Sequence, residues 1–127
     1  MSKNRTVSVD SVTGNLPQEQ RVKAMTVLSP YRGVLQETVE VRKMPFVIGR
    51  DVDVTLRFAD DSVSRRHAQI VVRGEEFFIE DLGSKHGTFV NGLPVISCML
   101  RSGDELQIGR SVFHFDQLRV SQKLDQA

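Results

Sequence analysis

A chain of 127 residues has room for one ordinary domain with a core and not for two, and its 39% hydrophobic and 26% charged residues suit a globular fold rather than wholesale disorder. Seventeen Lys and Arg against sixteen Asp and Glu leave a net charge of +1, which excludes a global field for nucleic acid or an anionic membrane and confines any anion site to a local cluster. No apolar run approaches the roughly 20 residues of a membrane span, and the start, MSKNRTVSVD, lacks the apolar stretch of a signal peptide.

Residues 1–22 are polar, carry Gly14 and Pro17 and have no sustained apolar period, so the sequence predicts a flexible tail there. From 23 to 118 the pattern changes to short runs of β-type composition: AMTVLSP, ETVEVR, PFVIG, VTLRF, HAQIVVR, EFFIEDL, GTFVNG, PVISCML, DELQIG and SVFHFD. Turn-forming stretches such as RGEE, GSKHG, NGLP and RSGDE separate them, and no helical period is long enough for the crossovers of a parallel α/β fold. The expected fold is all-β, a two-sheet antiparallel β-sandwich of about ten or eleven strands with loops clustered at its ends. Residues 119–127 read as a C-terminal tail or the first turns of a linker helix. The single cysteine, Cys98, cannot close an internal disulfide; within VISCML it reads as a small core residue, which suits a reducing compartment and a cytoplasmic protein.

Three polar stretches fall at strand ends: GRD at 49–51, SVSRRH at 62–67 and LGSKHGTFVNG at 82–92. If they converge they bring together Arg50, Ser64, Arg65, Lys85, His86 and Thr88, nearly all hydrogen-bond donors, with glycine turns able to point main-chain N–H groups inward. Donors without acceptors suit an ionised phosphate, whose oxygens only accept. The nearby carboxylates, Asp51, Asp60, Asp61 and Asp81, are expected to face away, and Arg66 to point to solvent. Other chemistries fit less well. Ser64, Asp81 and His86 follow the chain order of one hydrolase class, but GSKHG puts its serine one place too early for a nucleophile elbow and no helix follows. Three His and one Cys show no zinc spacing, neither glycine-rich nucleotide motif occurs, and no aromatic interleaves the basic residues as in nucleic-acid binders.

FVIGRD, DDSVSRRHAQI, FFIEDLGSKHGTFVNG and LRSGDELQIG resemble, in order and spacing, the forkhead-associated (FHA) domain family, over residues from about 24 to 118. The resemblance implies a phosphothreonine-binding β-sandwich with no catalysis and no cofactor or metal. Carried over by position, Arg50 and Ser64 match the phosphate contacts, and Lys85 keeps a donor beside them. Arg65 and His86 match positions that contact the peptide, Gly49, His67 and Asn91 match positions that brace the recognition loops, and Gly87 and Thr88 continue the supporting turn. Lys85-His86 stands where the family often has Thr-Asn, a departure that bears on peptide preference. The expected partner is a phosphothreonine-containing protein downstream of a Ser/Thr kinase, not nucleic acid or membrane. A second candidate ligand is the chain's own leader, phosphorylated at Thr6 or Thr13. The alternative function is that of a sensory domain at the front of a larger signalling enzyme such as a nucleotide cyclase or kinase.

Overall fold

A computed structural model describes residues 22–121 of the chain. Two compact units divide it: Thr26–Gln117, and a second drawn from the two chain ends, whose described residues, 22–25 and 118–121, are strand. Eleven strands are formed: β1 (Val22–Arg32), β2 (Val39–Glu40), β3 (Phe46–Gly49), β4 (Leu56–Arg57), β5 (Ala68–Arg73), β6 (Glu76–Asp81), β7 (Thr88–Val90), β8 (Leu93–Val95), β9 (Ser97–Leu100), β10 (Asp104–Ile108) and β11 (Ser111–Ser121). The first sheet runs β2-β1-β11-β10-β7-β8 and the second β4-β3-β5-β6-β9. No helix among the described residues is long and apolar enough to cross a membrane.

Period-two patterning fixes which side of each strand is buried. In β5, Ala68 and Ile70 are sealed while Gln69 and Val71 are half-exposed; in β10, Leu106 and Ile108 are sealed while Gln107 is not. Within the Thr26–Gln117 unit these inward sets interleave, with Leu28, Val90, Leu106, Ile108, Phe113 and Phe115 from the first sheet meeting Phe46, Ile48, Ala68, Ile70, Ile79 and Leu100 from the second. Phe58 meets Phe113 edge-on at a ring separation of 5.7 Å. Each such side chain contributes about 1.5–3 kcal/mol by leaving water, so this core holds the loops at its rim in fixed positions.

Four details depart from the sequence reading. The run PVISCML is two strands, not one: β8 pairs with β7 in the first sheet, β9 with β6 in the second, and Ile96 turns between them. Cys98 is consequently half-buried at an outer strand, packed against the core rather than sealed within it. The sheets are not wholly antiparallel, because the two-residue β4 lies parallel to β3, Gly49 beside Arg57. Finally, residues 119–121 continue β11 as strand instead of starting a helix. The proposed tail at 1–22 lies outside the described residues apart from Val22, where β1 begins, and so do residues 122–127.

Candidate functional site

β3 ends at Gly49, and the chain there runs against the loop that enters β5. A Cβ on Gly49 would overlap the Arg65 carbonyl oxygen, so only glycine permits this approach. The contact is zipped by main-chain bonds, Arg50 N–H to the Ser64 carbonyl at 3.0 Å and Asp51 N–H to the Arg65 carbonyl at 3.1 Å. Arg50 is half-buried, and its Nε–H donates to the Val63 carbonyl at 3.0 Å, which fixes the guanidinium plane and leaves the terminal Nη groups uncommitted. A second guanidinium grips the same turn, Arg57 Nε–H donating to the Arg50 carbonyl at 2.8 Å.

His67 is fully buried and ties two recognition loops together. The Ser64 N–H, which can only donate, points at Nδ1 at 3.0 Å. That assigns the ring proton to Nε2, which donates to the Gly87 carbonyl at 2.9 Å. Burial disfavours the imidazolium and holds the His67 pKa below its ordinary value, outweighing the Gly87 carbonyl and the Asp81 charge, which pull it up.

The loop between β6 and β7 folds around Asp81. Its carboxylate accepts the Gly83 and Ser84 N–H groups, each at 3.0 Å, together with the hydroxyls of Ser84 and Thr88. Burial alone would raise the Asp81 pKa, but the Ser84 and Thr88 hydroxyls and the two main-chain donors outweigh it and hold the carboxyl below the usual range. Asp81 therefore faces into its own loop, contrary to the expectation that it turns away, and its charge is consumed there. The Ser84 hydroxyl also accepts the Gly87 N–H at 2.9 Å, closing the turn that presents Lys85 and His86.

The loops meet at Ser64. Its hydroxyl accepts the Lys85 N–H at 3.0 Å, so one lone pair of the oxygen is engaged from inside and its proton is free for a ligand. Arg65 and Lys85 are exposed beside it, and His86 borders an open depression of about 510 Å³ together with Lys85, Phe89, Gln107 and Arg110. Asp61 borders the same depression and so does not face clear of it; Asp60 is occupied by the Ser62 N–H and hydroxyl and by Arg110 at 3.1 Å, and Asp51 by the Val52 N–H. Arg66 is exposed and pairs with Asp53 at 3.6 Å.

Arg50, Ser64, Arg65, Lys85 and His86 thus share one end, with Gly49, His67, Gly87 and Thr88 bracing it. Asn91 does not brace these loops: its side chain bonds Asp104 at 3.0 Å and the Glu105 N–H at 2.9 Å, linking the β7–β8 turn to β10, at the opposite end of β7 from Thr88. Its φ of 51° is a left-handed conformation that asparagine tolerates. Sequence reasoning missed Asp81, Ser84 and Arg57 as organisers. For the first two a signal was present, since Asp81-Leu82-Gly83-Ser84 carries the pattern of an aspartate bonding main-chain N–H groups two and three residues on. Chemically, the rim is a set of prepositioned donors able to hold an oxyanion, with the Asp60 and Asp81 carboxylates satisfied from within and Asp61 the carboxylate that borders the depression. No group of three or more His, Cys, Asp or Glu with metal-ligating placement occurs among the described residues.

A family model described as the FHA domain matches residues 46–109. The glycogen accumulation regulator GarA of Mycolicibacterium smegmatis is 48% identical over 62 residues, 49% of this chain and 39% of that protein. The FHA domain-containing protein FhaB of the same organism is 36% identical over 99 residues, 76% of this chain and 64% of the relative. The match therefore spans less than two thirds of each of these relatives. Among solved structures, an FHA domain studied for phosphothreonine-dependent interactions superposes with a TM-score of 0.66 at 34% identity, covering 72% of this chain and 95% of the other.

Proposed function

Because this chain belongs to the FHA domain family, we infer that it is a reader of phosphothreonine in partner proteins, a regulatory binding module of Ser/Thr phosphorylation signalling rather than an enzyme. One observation carries the reading: at the rim the Asp60 and Asp81 carboxylates are satisfied from within, while the Arg50 Nη groups, the Ser64 proton and the Lys85 ammonium are left for a ligand. A phosphate dianion offers what those groups need, several acceptor oxygens and negative charge. In this assignment Arg50 and Ser64 hold the phosphate, Lys85 adds charge beside it, and Arg65 and His86 lie along the extended peptide. Recognition of the phosphate is built into the ground state of the loops, so binding needs little reorganisation. An upstream Ser/Thr kinase and a cytoplasmic setting belong to the same proposal.

Calorimetry with matched peptides tests it. A phosphothreonine peptide is expected to bind at least about 100-fold more tightly than its unphosphorylated twin, the scale of two charge-assisted contacts. Equal affinity for the two would sink the reading.

The leader supplies a second candidate ligand for the same donors. Twenty-one residues precede β1, and a flexible segment of that length has a root-mean-square span of about 25 Å. Thr6 and Thr13 lie in it, outside the described residues. Phosphorylated there, the leader would occupy the rim at high effective concentration. Deleting residues 1–21 from chain phosphorylated on the leader is then expected to raise its affinity for added phosphopeptide at least about tenfold, and no change on deletion rejects self-binding.

A further inference from the structure

The recognition end carries more positive charge than one phosphate needs. The ion pairs among the described residues join Arg42 to Glu40, Arg66 to Asp53, Arg73 to Glu80, Arg110 to Asp60 and His114 to Glu105. None of them includes Arg50, Arg57, Arg65 or Lys85. Arg57 is the one of these four to which no ligand role has been given above. It sits on β4, whose parallel pairing puts Arg57 beside Gly49, one residue from the phosphate-facing arginine. The side chain is exposed yet pinned, because its Nε–H is bonded to the Arg50 carbonyl at 2.8 Å. Arg57 also borders an open depression of about 300 Å³ formed with Phe58 and the β1–β2 loop from Val34 to Val39.

An arginine held by one N–H keeps four further donors in a fixed plane, and holding it lowers the entropy that an incoming anion must remove. A guanidinium serving only to steady the Arg50 carbonyl would not need an open cavity beside it. We propose that Arg57 is the cation of a second anion subsite, adjoining the Arg50–Ser64 site, which takes an acidic group carried on the same peptide near the phosphothreonine. This rests on the phosphopeptide reading above. The acidic group has two sources, a glutamate or aspartate side chain and a second phosphate, which share the oxyanion chemistry. Glu37 borders the same depression and opposes the incoming charge.

Fluorescence anisotropy on the full chain with three peptides tests this. All carry one phosphothreonine; the flanks are alanines in the first, glutamates in the second, and alanines plus a second phosphothreonine in the third. The unmodified chain is expected to favour at least one acidic peptide over the alanine peptide about fivefold, the scale of one partly exposed charge-assisted contact. Arg57→Gln keeps an N–H for the Arg50 carbonyl but loses the charge; it should bring the ratio of acidic-peptide to alanine-peptide affinity to about one, whatever its effect on the alanine peptide itself. Glu37→Gln, at an exposed loop position where folding is not at risk, should widen the preference. A gain with glutamates alone or with the second phosphate alone assigns the source. The absence of any acidic preference in the unmodified chain, or a preference that survives Arg57→Gln, overturns the proposal. So does an equal loss on all three peptides, which makes Arg57 a positioning residue for Arg50. If the alanine peptide binds no better than its unphosphorylated form, it is the phosphothreonine reading that has failed.

Discussion

Arg50→Ala is expected to cost at least about two orders of magnitude in phosphothreonine-peptide affinity, from two charge-assisted contacts of about 1.5–3 kcal/mol each. The guanidinium does two things with separate atoms. Its Nε–H is spent on the Val63 carbonyl, which orients the plane, and its Nη groups are left for phosphate oxygens. Lysine has one ammonium and cannot do both in a fixed geometry, so Arg50→Lys should recover only a small part of the loss. The fold should survive either change. The interior contact removed is the single bond to Val63, worth about 1 kcal/mol, against a core whose aromatic and aliphatic residues lie elsewhere. Thermal melting beside the titration separates the two effects: a well-folded Arg50→Ala protein that binds phosphopeptide as tightly as the unmodified chain would remove Arg50 from the site.

Strand identity was legible because burial imposes a period of two, and the runs HAQIVVR and DELQIG became β5 and β10 with alternate residues inward. The sheet switch within PVISCML was not legible. Nothing in composition separates a strand that continues from one that crosses to the other sheet, and the distinction lies in which partners, β7 or β6, are within reach. The parallel placement of β4 is similarly non-local, since a two-residue strand has no pattern of its own. At the site, residue types in GRD, SVSRRH and GSKHG were enough to nominate Arg50, Ser64 and His86, because donors in that density suit an anion. Their mutual arrangement depends on contacts across long stretches of chain: Lys85 N–H with the Ser64 hydroxyl, and His67 with Gly87. Arg57 lies in VTLRF, outside the three polar stretches, and only its bond to the Arg50 carbonyl sets it apart.

His67→Ala is the second large effect, about 3–5 kcal/mol of stability together with loss of the recognition geometry. The imidazole is sealed from solvent and joins Ser64 to Gly87, while its main chain bonds the Ile48 carbonyl through N–H and the Leu82 N–H through C=O. Alanine keeps the main-chain links, leaves a cavity, and strands the Ser64 N–H and the Gly87 carbonyl. The same residue predicts a pH dependence whose sign follows from its setting. Burial holds the folded-state pKa below the unfolded value of about 6.5, so the unfolded chain takes up a proton first as pH falls. The contribution of His67 is complete above about pH 6.5 and is lost progressively below it. Asp81, with Asp60 and Glu80, is also held below its ordinary pKa, but these carboxylates lose stability only as pH falls below about 4. Between pH 7 and pH 5, urea midpoints of the unmodified chain should therefore fall, and those of His67→Gln, which carries no titrating group at this position, should fall less. Midpoints that decline in parallel for the two proteins over that interval would mean that the buried imidazole is not what titrates.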